Sequence, residues 1–260
     1  MGKAIFITGG GSGIGRATAI LFAARGWRVG LGDVNAGGMA DTLARMAGEG
    51  HSAHALDVRD RDAWHAALTA FAPDGRLAAL FNNAGVAVGG PFVQTSAGEL
   101  ERAVAINLTG VVIGAHVAHA WLKAAAPDAC LLNTASAAGL FGVANGAIYS
   151  ATKFGVRGLS ESLDLEWAHD GIRVACLMPS FIDTPLLDAV PAGTNDTTRD
   201  RVRAAGLEFT PVETVAETAW AAVHGDRVLW PVGKTARRVA FAARWMPGRL
   251  RRSLRGRRGL

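Results

Sequence analysis

The stretch Ala4-Ile5-Phe6-Ile7-Thr8-Gly9-Gly10-Gly11-Ser12-Gly13-Ile14-Gly15 decides the fold. Its first five residues, mostly β-branched or aromatic, read as a short buried strand. The next seven contain five glycines. Arg16 to Ala24 then reads as a helix ending near Gly26. In a strand, glycine turn and helix in that order, the glycines let the backbone turn tightly and approach a pyrophosphate. The charge of that group meets the free N–H groups of the helix N-terminus. Gly9, Ser12, Gly13, Ile14 and Gly15 are therefore candidate phosphate contacts. The spacing is Gly-x-x-x-Gly-x-Gly rather than the commoner G-x-G-x-x-G, so the loop is weak alone and the rest of the chain has to agree with it.

Working outward, the next strand, Arg28 to Leu31, ends at Gly32-Asp33. Asp33 lies 18 residues beyond Gly15, close to the separation expected of an acidic residue that binds an adenosine ribose. A carboxylate there accepts hydrogen bonds from the ribose hydroxyls and repels a 2′-phosphate, so NAD is expected over NADP. Arg16 is near enough in sequence to offset part of that repulsion, and the plainer role for Asp33 is a helix N-cap. The alternation continues with helix Ala36–Ala47, a strand at Ala53–Leu56 ending in Asp57-Val58, helix Arg61–Phe71, and strand Leu77–Phe81. That last strand runs into Asn82-Asn83-Ala84-Gly85, small and amide residues that bring backbone close to a ligand or form an ordinary turn. Glu99 to Lys123 is a long apolar helix interrupted by Asn107, whose buried amide must find partners, in its plainest role on a neighbouring backbone. Strand Ala129–Asn133 leads to Ser136. Helix Ala147–His169 follows, then strand Arg173–Met178 and the segment Pro179-Ser180-Phe181-Ile182-Asp183-Thr184-Pro185. Residues 186 to 210 read as a loop or lid. Thr210-Pro211-Val212-Glu213 is a helix start with Thr210 as cap, and Val228–Trp230 is the last strand.

Composition sets the outer bounds. At 260 residues and half hydrophobic, the chain suits one large α/β domain and argues against disorder. Cys130 and Cys176 each sit inside an apolar strand and read as buried small hydrophobes. Neither a disulfide framework nor a metal-ligand spacing occurs, so a reducing, cytoplasmic compartment is expected and no metal. The N-terminus runs straight into a strand with no signal peptide, and no apolar run is expected to reach membrane-spanning length. The net charge of +5 conceals an asymmetry: residues 234 to 260 hold ten Lys or Arg and no Asp or Glu. The first 233 residues carry 17 basic against 22 acidic side chains, so the high isoelectric point belongs to the tail.

Tyr149-Ser150-Ala151-Thr152-Lys153 places a phenol and an ammonium one helical turn apart on one face. The ammonium favours the phenolate, so Tyr149 is expected below its free value near ~10 and able to exchange a proton with an alcohol. By itself that spacing is common. Ser136, 13 residues earlier, has a hydroxyl at the carboxyl end of a strand, a position that either faces the ligand crevice or belongs to an ordinary turn.

Together these residues give a joint match in order and approximate spacing. The chain resembles the NAD(P)-dependent short-chain dehydrogenases/reductases over nearly all of residues 3 to 233. The matching parts are the turn Thr8–Gly15, the tetrad Asn82–Gly85, Asn107, Ser136, the Tyr149/Lys153 pair and Pro179–Pro185. The resemblance implies a single Rossmann-type doubly wound domain with a seven-stranded parallel sheet over 1–233, and a bound nicotinamide cofactor. It implies that Tyr149 is the acid/base, and that Lys153 tunes it and holds the nicotinamide ribose. Ser136 bonds the substrate oxygen, and Asn107 holds a water linking Lys153 to solvent. It places Asp57 and Val58 at the adenine, Asn83, Ala84 and Gly85 along the cofactor ribose, and Pro179, Ile182 and Thr184 at the carboxamide. Ser180 departs from the family pattern, which has Gly there, and adds a side chain near the nicotinamide.

Val86, Val88, Leu140, Phe141, Phe181, Leu186 and Leu187 are the expected substrate wall. With so few charges it fits an uncharged, apolar secondary alcohol or ketone. A 3-ketoacyl thioester reductase is less attractive for want of a basic docking patch, and an NAD-binding sensor or scaffold without turnover is opposed by the intact Ser136/Tyr149/Lys153 set. The resemblance also implies a homodimer or homotetramer along the helices of Asn107 and Tyr149. The extension 234–260 has a helix over Thr235–Met246, then basic residues after Pro247. It reads first as a solvated tail or one packed on a neighbouring subunit, and second as an attachment to the anionic inner face of a membrane. Specific nucleic-acid binding ranks below both, since no recognition module accompanies it.

Overall fold

A computed structural model describes residues 2–255. Seven parallel strands form one sheet in the order β3-β2-β1-β4-β5-β6-β7. They are β1 (Ala4–Thr8), β2 (Arg28–Asp33), β3 (Ser52–Ala55), β4 (Ala79–Asn82), β5 (Cys130–Thr134), β6 (Arg173–Pro179) and β7 (Leu229–Val232). Parallel strands need crossovers, and here these are largely helical: α1 (Gly13–Ala24), α2 (Ala36–Leu43), α3 (Arg61–Phe71), α4 (Ala97–Val104), α5 (Gly110–Ala125), α6 (Ala147–Trp167), α7 (Thr198–Ala204) and α8 (Val212–His224). Two more helices follow the sheet, α9 (Lys234–Trp245) and α10 (Pro247–Arg255). The strand order reverses between β1 and β4, and a crevice opens there at the strands' carboxyl ends.

Period-two alternation splits the core between the sheet's two faces. Ile5, Ile7, Leu31, Phe81, Leu132 and Leu177 pack with α1 and α8 through Phe22, Val215, Ala219 and Val223. Phe6, Leu80, Leu131 and Val174 pack with α3 and α5 through Trp64, Leu68, Phe71 and Leu122. Both cysteines are buried in strands, and burial pushes their thiols up, Cys130 to about 12 and Cys176 to about 11.

Four expectations are revised. The helix read over Glu99–Lys123 is α4 and α5 joined by a π-helical turn, Ala105–Thr109, with Asn107 at its centre. Against the expectation that no apolar run reaches membrane-spanning length, the whole rod, Ala97–Ala125, is long and apolar enough by length and composition to cross a membrane. It is instead a core element packed on β4, β5, α3 and α6, because a helix flanked on several sides by the protein must be apolar on those sides. Thr210 does not cap α8. Its N–H bonds the Phe181 carbonyl at 2.8 Å and it bridges to Ile182, which leaves Pro211 at the cap position. The 186–210 segment is more ordered than a loop, since Thr197 and Asp200 form a capping box that starts α7. Pro247 opens the second helix of the tail, α10, as suits proline at a first helical position. The basic residues Arg257 and Arg258 lie outside the described residues.

Candidate active site

Gly9 (φ 68°) and Gly13 (φ 50°) take backbone conformations that side chains rarely adopt. A Cβ on Gly15 would stand 2.1 Å from the Gly9 carbonyl oxygen. The start of α1 is thus seated directly on the loop. Ser12 is its N-cap residue but its side chain caps nothing, so no side chain there takes the first-turn N–H groups. Ile14 tucks against the core beneath. A glycine cradle with helix N–H groups directed into it fits a pyrophosphate.

The Asp33 carboxylate closes the loop's outer side, accepting from the Gly11 N–H at 2.9 Å and the Asn35 N–H at 2.9 Å. A carboxylate has about four acceptor sites, so two are left for ribose hydroxyls. The N-cap of α2 is Asn35, which accepts from Gly38 N–H, so Asp33 does not hold that role. Arg16 is committed elsewhere: it donates to the Gly11 and Gly38 carbonyls and to Thr42.

Across the crevice, Thr8 ties β1 to β4. Its hydroxyl accepts from the N–H groups of Asn83 (3.0 Å) and Ala84 (3.1 Å), and the Asn83 amide donates back to the Thr8 carbonyl at 3.0 Å. Gly85 is exposed, and a Cβ there would meet Asn107 Oδ1 at 3.1 Å and Lys153 Nζ at 3.7 Å, so its lack of a side chain leaves that approach open. The Pro179–Pro185 segment folds back over the loop: the Thr184 methyl stands 3.0 Å from where a Gly13 Cβ would be. Ile182 and Thr184 are buried.

At the adenine end the picture divides. The Asp57 carboxylate is paired with Arg59, which holds it below the usual carboxylate range. The Val58 side chain packs against Gly110, and its carbonyl accepts from the Trp64 indole at 3.0 Å. Val58 is therefore a core residue by its side chain, with only backbone left for a ligand. The Ser180 hydroxyl donates to the Val232 carbonyl at 3.4 Å, between the ends of β6 and β7.

The catalytic candidates converge. Ser136 starts the one-turn helix Ala137–Gly139, its hydroxyl accepting from the Ala138 N–H and donating to the Pro179 carbonyl at 3.4 Å. It also stands near enough to the Tyr149 phenol to favour its ionised form. The Lys153 ammonium is buried, donates to the Thr134 carbonyl at 2.9 Å, and lies 5.6 Å from the Tyr149 ring centre. Burial pushes Lys153 down to about 8. The expected fall of Tyr149 is not found: burial raises the phenol, and the nearby Ser136 hydroxyl pulls it only part of the way back. Desolvation of the phenolate outweighs the lysine because the ammonium is aimed at a carbonyl rather than at the phenol oxygen. Asn107 spends its side chain on Val86, accepting from its N–H at 2.8 Å and donating to its carbonyl at 2.9 Å. That clamps the first residue of the expected substrate wall. One amide hydrogen and one oxygen lone pair of the Asn107 side chain remain beyond these two bonds.

Sequence reasoning missed Thr8, Thr134, Gly139 and Arg199. A Cβ on Gly139 would stand 2.7 Å from the Lys153 carbonyl oxygen, so this glycine lets the Ser136 turn rest on α6. Arg199 of α7 donates to Asp183, to Asp188 (2.7 Å) and to the Thr184 carbonyl (2.9 Å), strapping residues 183–199 down. Only the Thr197–Asp200 capping box announced α7; the other contacts join residues far apart in sequence.

A family model described as short chain dehydrogenase matches residues 3–195. The chain belongs to the short-chain dehydrogenase family. It is 35% identical over 192 residues to a levodione reductase of Leifsonia aquatica, covering 72% of each chain. It is 36% identical over 191 residues to a cyclohexanol dehydrogenase of Acinetobacter sp. (strain SE19), covering 71% of this chain and 75% of the other. A short-chain dehydrogenase/reductase from Burkholderia phymatum, solved in complex with NAD, superimposes with a TM-score of 0.80 at 29% identity over 97% of this chain and 95% of that one. In this family member, then, the phenol, hydroxyl and buried ammonium of Tyr149, Ser136 and Lys153 stand at one end of the glycine-loop crevice.

Proposed function

We propose that the protein is an NAD-dependent alcohol dehydrogenase/ketone reductase acting on an uncharged, largely apolar cyclic secondary alcohol or ketone. The carrying observation is the convergence of Ser136, Tyr149 and Lys153 on the crevice that the Gly9–Gly15 loop and Asp33 open. NAD, when bound, supplies the hydride acceptor. In oxidation Tyr149 takes the hydroxyl proton while Ser136 holds the same oxygen; in reduction Tyr149 returns the proton as the oxygen gains charge. Lys153 places positive charge behind the phenol and is held in position by Thr134. Asn107 fixes Val86 in the wall and holds a water that links Lys153 to solvent. Gly9, Ser12, Gly13, Ile14 and Gly15 hold the pyrophosphate, Asp33 the adenosine ribose, Asp57 and the Val58 backbone the adenine. Asn83, Ala84 and Gly85 line the ribose, and Pro179, Ile182 and Thr184 the carboxamide.

Several observations favour an apolar substrate. Leu140 and Leu187 are buried and Val86, Val88, Phe141 and Phe181 half-buried at the crevice, while Leu186 turns outward. A shallow hollow beside Val88 has Phe92, Leu100 and Ile148 among its lining residues. Arg199, a cation of the strap beside this wall, is paired with Asp183 and Asp188. The relatives named for levodione and cyclohexanol act on compounds of the proposed kind. The reading extends to a cytoplasmic homo-oligomer built on α5 and α6, and to an anionic membrane face for the basic extension. A panel of cyclic and linear secondary alcohols with NAD, followed by NADH absorbance, tests it. Turnover of cyclic alcohols is expected; tight NAD binding with no turnover across the panel would replace the enzyme by a sensor.

A further inference from the structure

The C-terminal extension takes no part in the chemistry above, and its two helices present very different sides. Helix α9 lies against β7 and the Ala137–Gly139 turn, and α10 packs on α9. The inner side of α9 is absorbed by the domain: Ala236 is buried, and Val239 and Ala240 pack on the cluster of Leu140, Val156, Cys176 and Met178. The outer side is left open. Phe241 and Trp245, one turn apart, are 59% and 65% exposed, and Met246 beside them is 37% exposed. Arg237, Arg238 and Arg244 are exposed around them, with the Arg244 guanidinium 5.4 Å from the Trp245 ring centre. On α10, Leu250 and Leu254 are half-buried while Arg249, Arg251, Arg252 and Arg255 are exposed. Residues 234–255 hold eight Lys or Arg and no Asp or Glu. Among the described residues only one of the eight, Lys234, reaches a carboxylate, Glu208 at 3.8 Å.

Two aromatic rings in water, bordered by arginines and by no carboxylate, call for an occupant with an apolar interior beneath a negative surface. The same face of a second copy would set eight cations against eight, which like-charge repulsion opposes. An anionic bilayer meets both demands, and the helix pair carries both signals that stable interfacial attachment requires, apolar insertion and a polybasic patch. We propose that α9 and α10 dock on an anionic bilayer, with Phe241 and Trp245 inserted at headgroup depth and the arginines of both helices on the lipid phosphates. The consequence for the site rests on the apolar-substrate reading. The inner side of α9 touches Leu140, four residues beyond Ser136. Docking therefore holds the substrate wall about one helix diameter, ~10–12 Å, from the lipid, where apolar alcohols and ketones concentrate.

The test uses the full chain, sedimented with vesicles of phosphatidylcholine alone or with about a third phosphatidylglycerol, the proportion chosen to give the surface potential such patches respond to. The protein should pellet with the anionic vesicles and stay in solution with the neutral ones. Phe241→Ser/Trp245→Ser and Arg249→Gln/Arg251→Gln/Arg252→Gln should each weaken pelleting about tenfold or more, with NADH formation from cyclohexanol in solution unchanged. Anionic vesicles that leave the protein in the supernatant would overturn the proposal. So would a Phe241/Trp245 variant that pellets like the parent, or one whose mass by light scattering drops, which would make a second copy the occupant. Cyclohexanol turnover without vesicle binding rejects the docking alone; vesicle binding without turnover of any alcohol keeps the docking and rejects the enzymatic reading.

Discussion

On one side of the crevice the contacts are made by backbone and glycine; on the other they are made by side chains and a strap. The loop Gly9–Gly15 turns where side chains would clash, and its neighbours Asp33, Thr8 and Asn83 are already bonded to main-chain groups. The opposite wall is Leu140, Leu187, Phe181 and the half-buried Tyr149, covered by a segment held through Arg199. A surface of N–H groups reads a phosphate whatever else the ligand carries, whereas an apolar wall under a strap can change its shape by a few substitutions. The difference separates a site for a common cofactor from a site for a particular substrate.

The strongest way to break this division is at the hydroxyl of Tyr149. Tyr149→Phe should lower kcat by about 10²–10⁴-fold while NAD binding by fluorescence titration stays as in the parent. Retention of more than about a hundredth of kcat would remove the phenol from the chemistry. Gly15→Ala probes the backbone side. Its methyl meets the Gly9 carbonyl, so the protein should lose about 1–3 kcal/mol of stability, read by urea unfolding, together with most of its NAD affinity. An unchanged affinity would mean the loop is not the phosphate cradle.

Asp33→Asn removes the charge that disfavours a 2′-phosphate. The ratio of kcat/KM for NAD to that for NADP should fall about tenfold or more, the worth of one charge-assisted hydrogen bond. A parent enzyme already as good with NADP would defeat the assignment before any variant is made. The raised Tyr149 phenol gives a pH dependence of known sign. The proton acceptor for oxidation is the phenolate, so oxidation should climb as pH rises from neutral into the alkaline range, at most tenfold per unit. Reduction uses the phenol and should hold near neutral pH, then decline; initial rates in both directions across pH check it. Smallest is the strap. Arg199→Gln frees residues 183–188 from α7 and should raise the substrate KM by roughly threefold to tenfold, the loss of one or two partly exposed charged contacts, with kcat at saturation nearly unchanged.

Much of the site was legible in the chain because its parts are local. The glycine spacing, the Tyr149–Lys153 turn and Asp33 at a strand end each follow from a few neighbouring residues and a fixed helical or strand period. The strand order was reached through the family resemblance, since periodicity reports where strands are and not which lie side by side. What failed were statements about the surroundings of a side chain. Tyr149 was expected to fall and is raised, and Thr210 was expected to cap a helix and bridges to Ile182.

By itself, then, the sequence determined the α/β alternation, the turn that only glycine can make, and the pairing of a phenol with a lysine one turn away. The tertiary structure decided where the Lys153 ammonium points, what Asn107 holds, how Arg199 straps the wall, and which side of α9 is left bare. Those depend on burial and on partners tens of residues away. Desolvation and hydrogen-bond competition act between groups that only folding brings together.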